Sequence, residues 1–301
     1  MNKKLLIAYL LAAVLVYYII HVYRSHHVVP AAVATKTAPV AAAPEIPVNK
    51  EAETMRARNQ ELINKYSAQI KSGKDVDGDV YYQRGLLYLS LQQYRVAIQD
   101  FSDAIRLVPD SPSAFYARAL AYQGEHALDL AIADLNAAIK LKADFAEAYN
   151  TRAAIYDDQG NTDNAINDYK NALAINANFD QAYFNLGVLY EKQKQYSEAE
   201  AEFGNAISHN IAVANATPSD LAASKKRLLQ AYIHRAGVAL LVNDLNAALK
   251  DINYVIDSDP KNEIAYRLRA NIYNKMGNTA DSLADKATAD NLSMQNLLEQ
   301  H

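Results

Sequence analysis

Few side chains in this sequence have the type and spacing that catalysis or metal binding would need. The acidic run from Asp75 to Asp79 resembles the start of a calcium-binding loop, but Leu86 stands where that loop requires a carboxylate. The seven histidines are scattered, and none has the spacing of a zinc site. Asp157 and Asp158 are adjacent, so on a helix their carboxylates point apart. We therefore predict no enzymatic activity, no metal site and no cofactor.

Charge and composition exclude further classes of function. The formal net charge of −4 argues against a protein that binds nucleic acid by neutralising phosphates. The only basic cluster is Lys225, Lys226 and Arg227, which fits either a solvated helix face or a contact with lipid headgroups or an acidic partner. Cysteine is absent, which removes disulfides and thiolate chemistry. The composition thus favours a binding role with no small-molecule substrate.

Residues 1–27 have the pattern of a membrane anchor. Lys3 and Lys4 precede a stretch from Leu5 to Tyr23 without a formal charge, and Arg24 closes it. A helix of that length rises about 28 Å, close to the hydrocarbon thickness of a bilayer. The positive-inside rule then predicts a single-pass protein with a cytoplasmic N-terminus and a periplasmic or other extracytoplasmic domain, most simply at a bacterial inner membrane. A cleaved signal peptide and a buried helix of a soluble protein are the alternatives.

Two segments separate this anchor from the rest of the chain. Residues 28–50 are rich in alanine, valine and proline, a composition that cannot bury a core and favours extended conformations. They are predicted to form a flexible linker. Residues 51–77 contain strong helix formers, with Leu62, Ile63, Tyr66 and Ile70 at helical spacing. They are predicted to form a lead-in helix that covers the start of the folded region, or a short dimerising coiled coil.

A repeat of 34 residues occupies most of the remaining chain. Small residues recur at that interval and, after an insertion, the same frame resumes: Gly85, Ala119, Ala153, Gly187, Ala236 and Ala270. The six repeats are 78–111, 112–145, 146–179, 180–213, 229–262 and 263–296. Aromatic residues share one helical face with the small eighth residue, and alanines dominate the twentieth and twenty-seventh positions. Each repeat is therefore predicted to be a closely packed pair of helices.

These features resemble the tetratricopeptide-repeat family over residues 78–296. The resemblance implies an all-α fold, a right-handed α-solenoid of helical hairpins with the first helices on its concave surface. Repeats one to four would span 78–213, and 229–301 would hold repeats five and six with a C-terminal capping helix. The insertion at 214–228 places Pro218 near a helix start, so it is predicted to lengthen the first helix of repeat five to about Val242.

Charged residues also recur within the repeat. Arginine stands at the seventh position of five repeats, and repeat four has Leu186 there instead; the arginines are Arg84, Arg118, Arg152, Arg235 and Arg269. An acidic residue stands at the twenty-third position throughout: Asp100, Asp134, Asp168, Glu202, Asp251 and Asp285. Recurrence at a fixed spacing predicts structural ion pairs, within a repeat or with its neighbour.

The family resemblance also implies which residues meet a partner. In the family, the second, fifth, sixth, ninth, twelfth and thirteenth positions of the first helix line the concave groove. The predicted groove residues are Tyr82, Leu86, Tyr116, Leu120, Asn150, Phe184, Asn185, Val188 and Ile233. Tyr82, Tyr116 and Phe184 are predicted to be exposed anchors that the packing of the helices does not need.

The resemblance favours a binding function over catalysis. The clamp with which one subclass binds chaperone C-termini is missing, because Tyr82, Leu86 and Ala117 replace its lysine and asparagines. The predicted function is a membrane-tethered scaffold or adaptor that binds a peptide or helical segment of a protein partner during assembly of an envelope complex. Its contact with the lipid bilayer would be made by residues 5–23. The alternative is a holdase-like chaperone for secreted or envelope proteins.

Overall fold

The structure, a computed structural model, describes residues 50–210 and 218–298. These residues form thirteen α-helices and no β-strand. The helices are α1 (Lys50–Ser72), α2 (Gly78–Ser90), α3 (Tyr94–Leu107), α4 (Pro112–Gly124), α5 (Leu128–Leu141), α6 (Ala146–Asp158), α7 (Thr162–Ile175), α8 (Asp180–Lys192), α9 (Tyr196–Ser208), α10 (Pro218–Leu241), α11 (Leu245–Ser258), α12 (Glu263–Lys275) and α13 (Thr279–Leu298).

The predicted anchor and linker lie outside the described residues. None of the helices between residues 50 and 298 that the structure describes is long and apolar enough to cross a bilayer.

The helices from α2 onward pair in chain order. Each of α2, α4, α6, α8, α10 and α12 packs along the helix that follows it, and each of those second helices packs against the next first helix. First helices also touch one another, as α8 touches α10 and α10 touches α12. The described residues therefore confirm the predicted all-α stack of helical pairs, with the first helices side by side.

Small residues allow the two helices of a pair to approach closely. A Cβ atom on Gly85 would lie 2.7 Å from the ring of Phe101, and one on Gly187 would lie 2.8 Å from the ring of Phe203. Both rings are fully buried. Where the eighth position is alanine, the residue opposite is smaller or of another shape, for example Leu135. Side-chain volume is thus exchanged between the two helices of a pair.

A left-handed residue closes the turn within every described pair. Glycine fills this fifteenth position in two pairs, where Gly160 has φ 74° and Gly277 has φ 80°. In the other four pairs a residue with a side chain adopts a positive φ: Gln92, His126, Lys194 and Asn243. The sequence predicted the two glycine turns. The other four were missed because the strain is tolerated, although it costs about 1–2 kcal/mol at each site.

The two ends of the stack differ. Helix α1 packs on the first pair through the buried Ile63, and Nδ2 of Asn59 donates to Oγ of Ser90 at 3.2 Å. At the other end, α13 runs unbroken from Thr279 to Leu298. The residues predicted as a C-terminal capping helix therefore continue the last second helix, because no proline or glycine interrupts it.

Candidate partner-binding face

The recurring arginines and acids form ion pairs within each repeat. In every case Nε and Nη2 of the arginine donate to the two oxygens of one aspartate on the second helix, at 2.6–2.8 Å. The aspartates are almost fully buried, while the guanidinium groups keep some exposure. The predicted structural ion pairs are confirmed. These charged residues hold helices together and are not available for chemistry.

The same arginines reach a third helix. Their Nη1 atoms donate to a polar residue at the twenty-fifth position of the preceding pair: Arg118 to Ser102 at 3.0 Å, Arg152 to Asn136 at 2.5 Å and Arg269 to Asn253 at 2.8 Å. At the start of the stack, Arg84 donates to Ser67 of α1 at 3.0 Å. Helix α1 therefore occupies the place of a preceding second helix. Repeat four, which has Leu186 in place of arginine, follows a repeat with Lys170 at this position.

We define the groove face as the residues at the second, fifth, sixth, ninth, twelfth and thirteenth positions of the first helices. All nine predicted groove residues are half-buried. On this face, a fifth-position residue contacts the sixth-position residue of the next first helix. The contacts are Tyr116 with Thr151 (hydroxyl oxygens 3.3 Å apart), Asn150 with Asn185 (Nδ2 of Asn185 donates at 3.3 Å) and Phe184 with His234 (ring centroids 5.4 Å apart). The groove face is thus a ladder of paired side chains. Sequence reasoning missed Thr151 as a member of it.

The three predicted aromatic anchors also serve the packing of the helices. The ring of Tyr82 lies 5.9 Å from that of Phe101, and the ring of Phe184 lies 5.9 Å from that of Phe203. The ring of Tyr116 lies 4.9 Å from that of the buried Phe145. The prediction that packing does not need these aromatics is therefore wrong. Burial also raises the pKa of the Tyr116 hydroxyl, which keeps it protonated beside Thr151.

Comparisons with known proteins agree with this geometry. Protein-family profiles described as TPR repeat match residues 85–124 and 155–194, and a tetratricopeptide-repeat profile matches residues 180–211. The chain contains tetratricopeptide repeats. A search of curated protein sequences found no match.

Solved structures of TPR proteins share the fold. Pseudomonas aeruginosa PilF is 17% identical with a TM-score of 0.60, over 74% of this chain and 95% of PilF. The C-terminal part of a TPR repeat-containing protein from Cytophaga hutchinsonii is also 17% identical with a TM-score of 0.60, over 81% and 94%. YrrB, described as a TPR protein with an unusual peptide-binding site, is 18% identical with a TM-score of 0.53, over 67% and 96%.

Acidic groups on the groove face of the TPR stack are partly neutralised by the next repeat. Nζ of Lys192 lies 2.7 Å from Oδ2 of Asp157, and Nδ1 of His234 lies 2.8 Å from Oε2 of Glu191. Glu147 remains exposed. The middle of the groove face therefore combines apolar rings and amides with a reduced negative charge, a mixture suited to a polypeptide.

The basic cluster at the start of α10 is divided among different roles. Nε of Arg227 lies 3.2 Å from Oδ2 of Asp180, and Nδ2 of Asn210 donates to the same oxygen at 2.8 Å. Nζ of Lys225 donates to the carbonyl of Ser258 at 3.1 Å. Lys226 is exposed. Of the two interpretations of the cluster, a uniformly solvated face does not describe it, because Arg227 ties the extension of α10 to the start of α8.

Proposed function

We propose that this chain is a non-catalytic scaffold that binds a peptide or helical segment of a protein partner on the groove face. The observation that carries the proposal is the ladder of half-buried side chains across successive first helices. Because each member is held by the next repeat, little side-chain entropy remains to be lost on binding. The exposed part of each apolar residue would be covered by the partner.

The makeup of the ladder favours a specific partner over many unfolded clients. A holdase needs a broad apolar surface, whereas the amide pair of Asn150 and Asn185 interrupts the apolar residues of this face. Amides at fixed positions can bond to the backbone or side chains of a defined segment. The proposal involves no cofactor, because the recurring charged residues are engaged between helices.

We propose in addition that six repeats act together and that residues 5–23 tether them to a membrane, with the repeats on its non-cytoplasmic side. Support for the tether comes from the uncharged stretch between Lys4 and Arg24 and from the positive charges before it. A tether restricts partners to those near the bilayer, as assembly of an envelope complex would require.

Paired lysine substitutions on two faces test the groove. The full chain in detergent would be used to capture partners from solubilised membranes of its host. Leu120→Lys with Val188→Lys places two charges on the groove face, where both residues are half-buried. Leu130→Lys with Leu141→Lys is the matched control, because both leucines are exposed on second helices.

We expect the groove variant to lose at least about tenfold in partner recovery, which corresponds to about 1.4 kcal/mol. The control should bind as the wild type does, and melting followed by circular dichroism should show that both variants are folded. Equal recovery by a folded groove variant would exclude this face as the binding surface.

A further inference from the structure

A notch between α10 and α12 is larger than its counterpart elsewhere in the stack. Its volume is 520 Å³, against 260 Å³ for the corresponding notch between α2 and α4. Both lie where the first two helical positions of one repeat face the end of its second helix. The added volume follows from the insertion, because the extended start of α10 contributes Ala222, Lys225 and Lys226 as a further wall.

The floor of this notch is aliphatic. Leu229 is buried, and Ile233 beside it is half-buried. Ile264, at the second position of α12, keeps 63% of its surface exposed. An aliphatic side chain that entered the notch would cover this surface, and burial of a leucine-sized group typically contributes about 1.5–3 kcal/mol.

The rim of the notch is positively charged. Lys225 and Lys226 line it, and Asp259 is the one acidic residue among its described lining residues. The two oxygens of Asp259 accept bonds from the backbone N–H of Lys261 at 3.3 Å and from Nδ2 of Asn262 at 3.1 Å. Because that carboxylate is used within its own loop, the exposed Lys226 is left to attract an acidic group from outside.

The wall is held in place from its far side. Nε of Arg227 reaches Oδ2 of Asp180, and Oγ of Ser224 donates to Oδ1 of Asn210 at 3.1 Å. Nζ of Lys225 is bonded to the carbonyl of Ser258 at the end of α11. The notch is therefore preorganised. A flat bilayer surface could touch Lys226 but could not reach Ile233 between the helices, whereas a peptide side chain could.

We propose that this notch is an anchoring site for a partner segment in which a large aliphatic residue is flanked by acidic residues. The inference rests on the proposed function, since it assigns a chemistry to part of the partner. It differs from the groove face in position and in charge, because the middle of that face carries Glu147, Asp157 and Glu191.

Synthetic peptides test the site directly. The probe is a fluorescently labelled hexapeptide, Asp-Asp-Leu-Leu-Asp-Asp, titrated with the full chain in detergent micelles and followed by anisotropy. Two control peptides replace either every aspartate by asparagine or both leucines by serine. We expect both controls to bind at least about tenfold more weakly, because each removes one half of the proposed recognition. Equal binding of all three peptides, or no binding of the first, would overturn the proposal.

Matched variants locate the binding. Lys226→Glu should weaken binding of the acidic peptide about tenfold or more, while Lys250→Glu, at an exposed lysine of α11, should not. Ile264→Ser should weaken it similarly, with Leu283→Ser as control because Leu283 is 60% exposed on α13.

The remaining outcomes separate this site from the groove. If the notch variants bind the peptide as the wild type does, this inference fails while the groove scaffold is untouched. If Lys226→Glu reduces only the binding of vesicles that contain phosphatidylglycerol, the lysines serve the membrane and the inference is wrong. Failure of the groove variant Leu120→Lys with Val188→Lys to lose partner would instead refute the proposed function.

Discussion

Adding one methyl group at Gly187 should destabilise the protein relative to the same change at Gly237. Both glycines lie inside first helices, so alanine gains about 1 kcal/mol of helix propensity at each. At Gly237 a Cβ atom would meet no other atom within 4 Å. At Gly187 it would lie 2.8 Å from one ring carbon of Phe203 and 2.9 Å from another.

The ring of Phe203 has little freedom to yield. It is fully buried, and its centroid lies 5.9 Å from that of Phe184 and 5.3 Å from that of His234. Overpacking of this kind costs about 1–3 kcal/mol. Gly187→Ala should therefore change stability by between zero and about −2 kcal/mol, whereas Gly237→Ala should stabilise by about 1 kcal/mol. The difference between the two variants, about 1–3 kcal/mol, isolates the steric effect.

Urea unfolding of the full chain, followed by circular dichroism, measures this difference. Combining Gly187→Ala with Phe203→Leu recreates the pairing of Ala119 with Leu135 in repeat two. The double variant should lose less stability than the sum of its two single changes, because the added methyl group then has room. If Gly187→Ala and Gly237→Ala unfold at the same urea concentration, the two helices of this pair are not as close as the structure places them.

Four further predictions concern charge, strain, pH and topology. Arg152→Leu leaves Asp168 buried without its partner and should cost about 3–5 kcal/mol in urea unfolding, whereas Arg267→Leu, which breaks exposed pairs, should cost less than about 1 kcal/mol. Lys194→Gly should stabilise by about 1 kcal/mol, seen as a higher melting temperature, because φ at this residue is 62°. Burial raises the pKa of Tyr169 above its ordinary 10.0, so stability should fall as pH rises above about 10, where the unfolded chain releases a proton that the folded chain retains; Tyr169→Phe should flatten that fall. The intact protein should stay in membranes after a high-salt wash, and protease added on the non-cytoplasmic side should digest the repeats.

The helical pairs could be predicted because the repeat encodes them many times. Each copy places an aromatic residue opposite small ones, and each arginine lies 16 residues before its aspartate, as Arg84 does before Asp100. The third contact of these arginines was not foreseen. It goes to a residue of variable type, such as Ser102 or Asn136, and only the rotation between successive pairs shows that it lies within reach.

The groove face was predicted in position but not in state. The period of the repeat shows which residues share a helix face, and it placed Asn150 and Asn185 on that face. It does not show how far neighbouring first helices approach, so the contact of Tyr116 with Thr151 and the packing of Phe184 on Phe203 emerged only from the structure.

The notch depends on an orientation that the sequence does not contain. Pro218 marks the start of α10, but the bond from Arg227 to Asp180 decides where the extension lies.

Site-specific photo-crosslinking in the host cell tests the groove scaffold most directly. A photoreactive amino acid would replace one residue at a time on the groove face, at Leu86, Leu120 or Val188. The matched outer positions are Leu130 and Leu141, which are exposed on a second helix. Crosslinks to one discrete partner protein from the groove positions, and none from the outer positions, are the predicted result. Crosslinks from the outer positions alone, or a smear of many proteins from the groove, would contradict it.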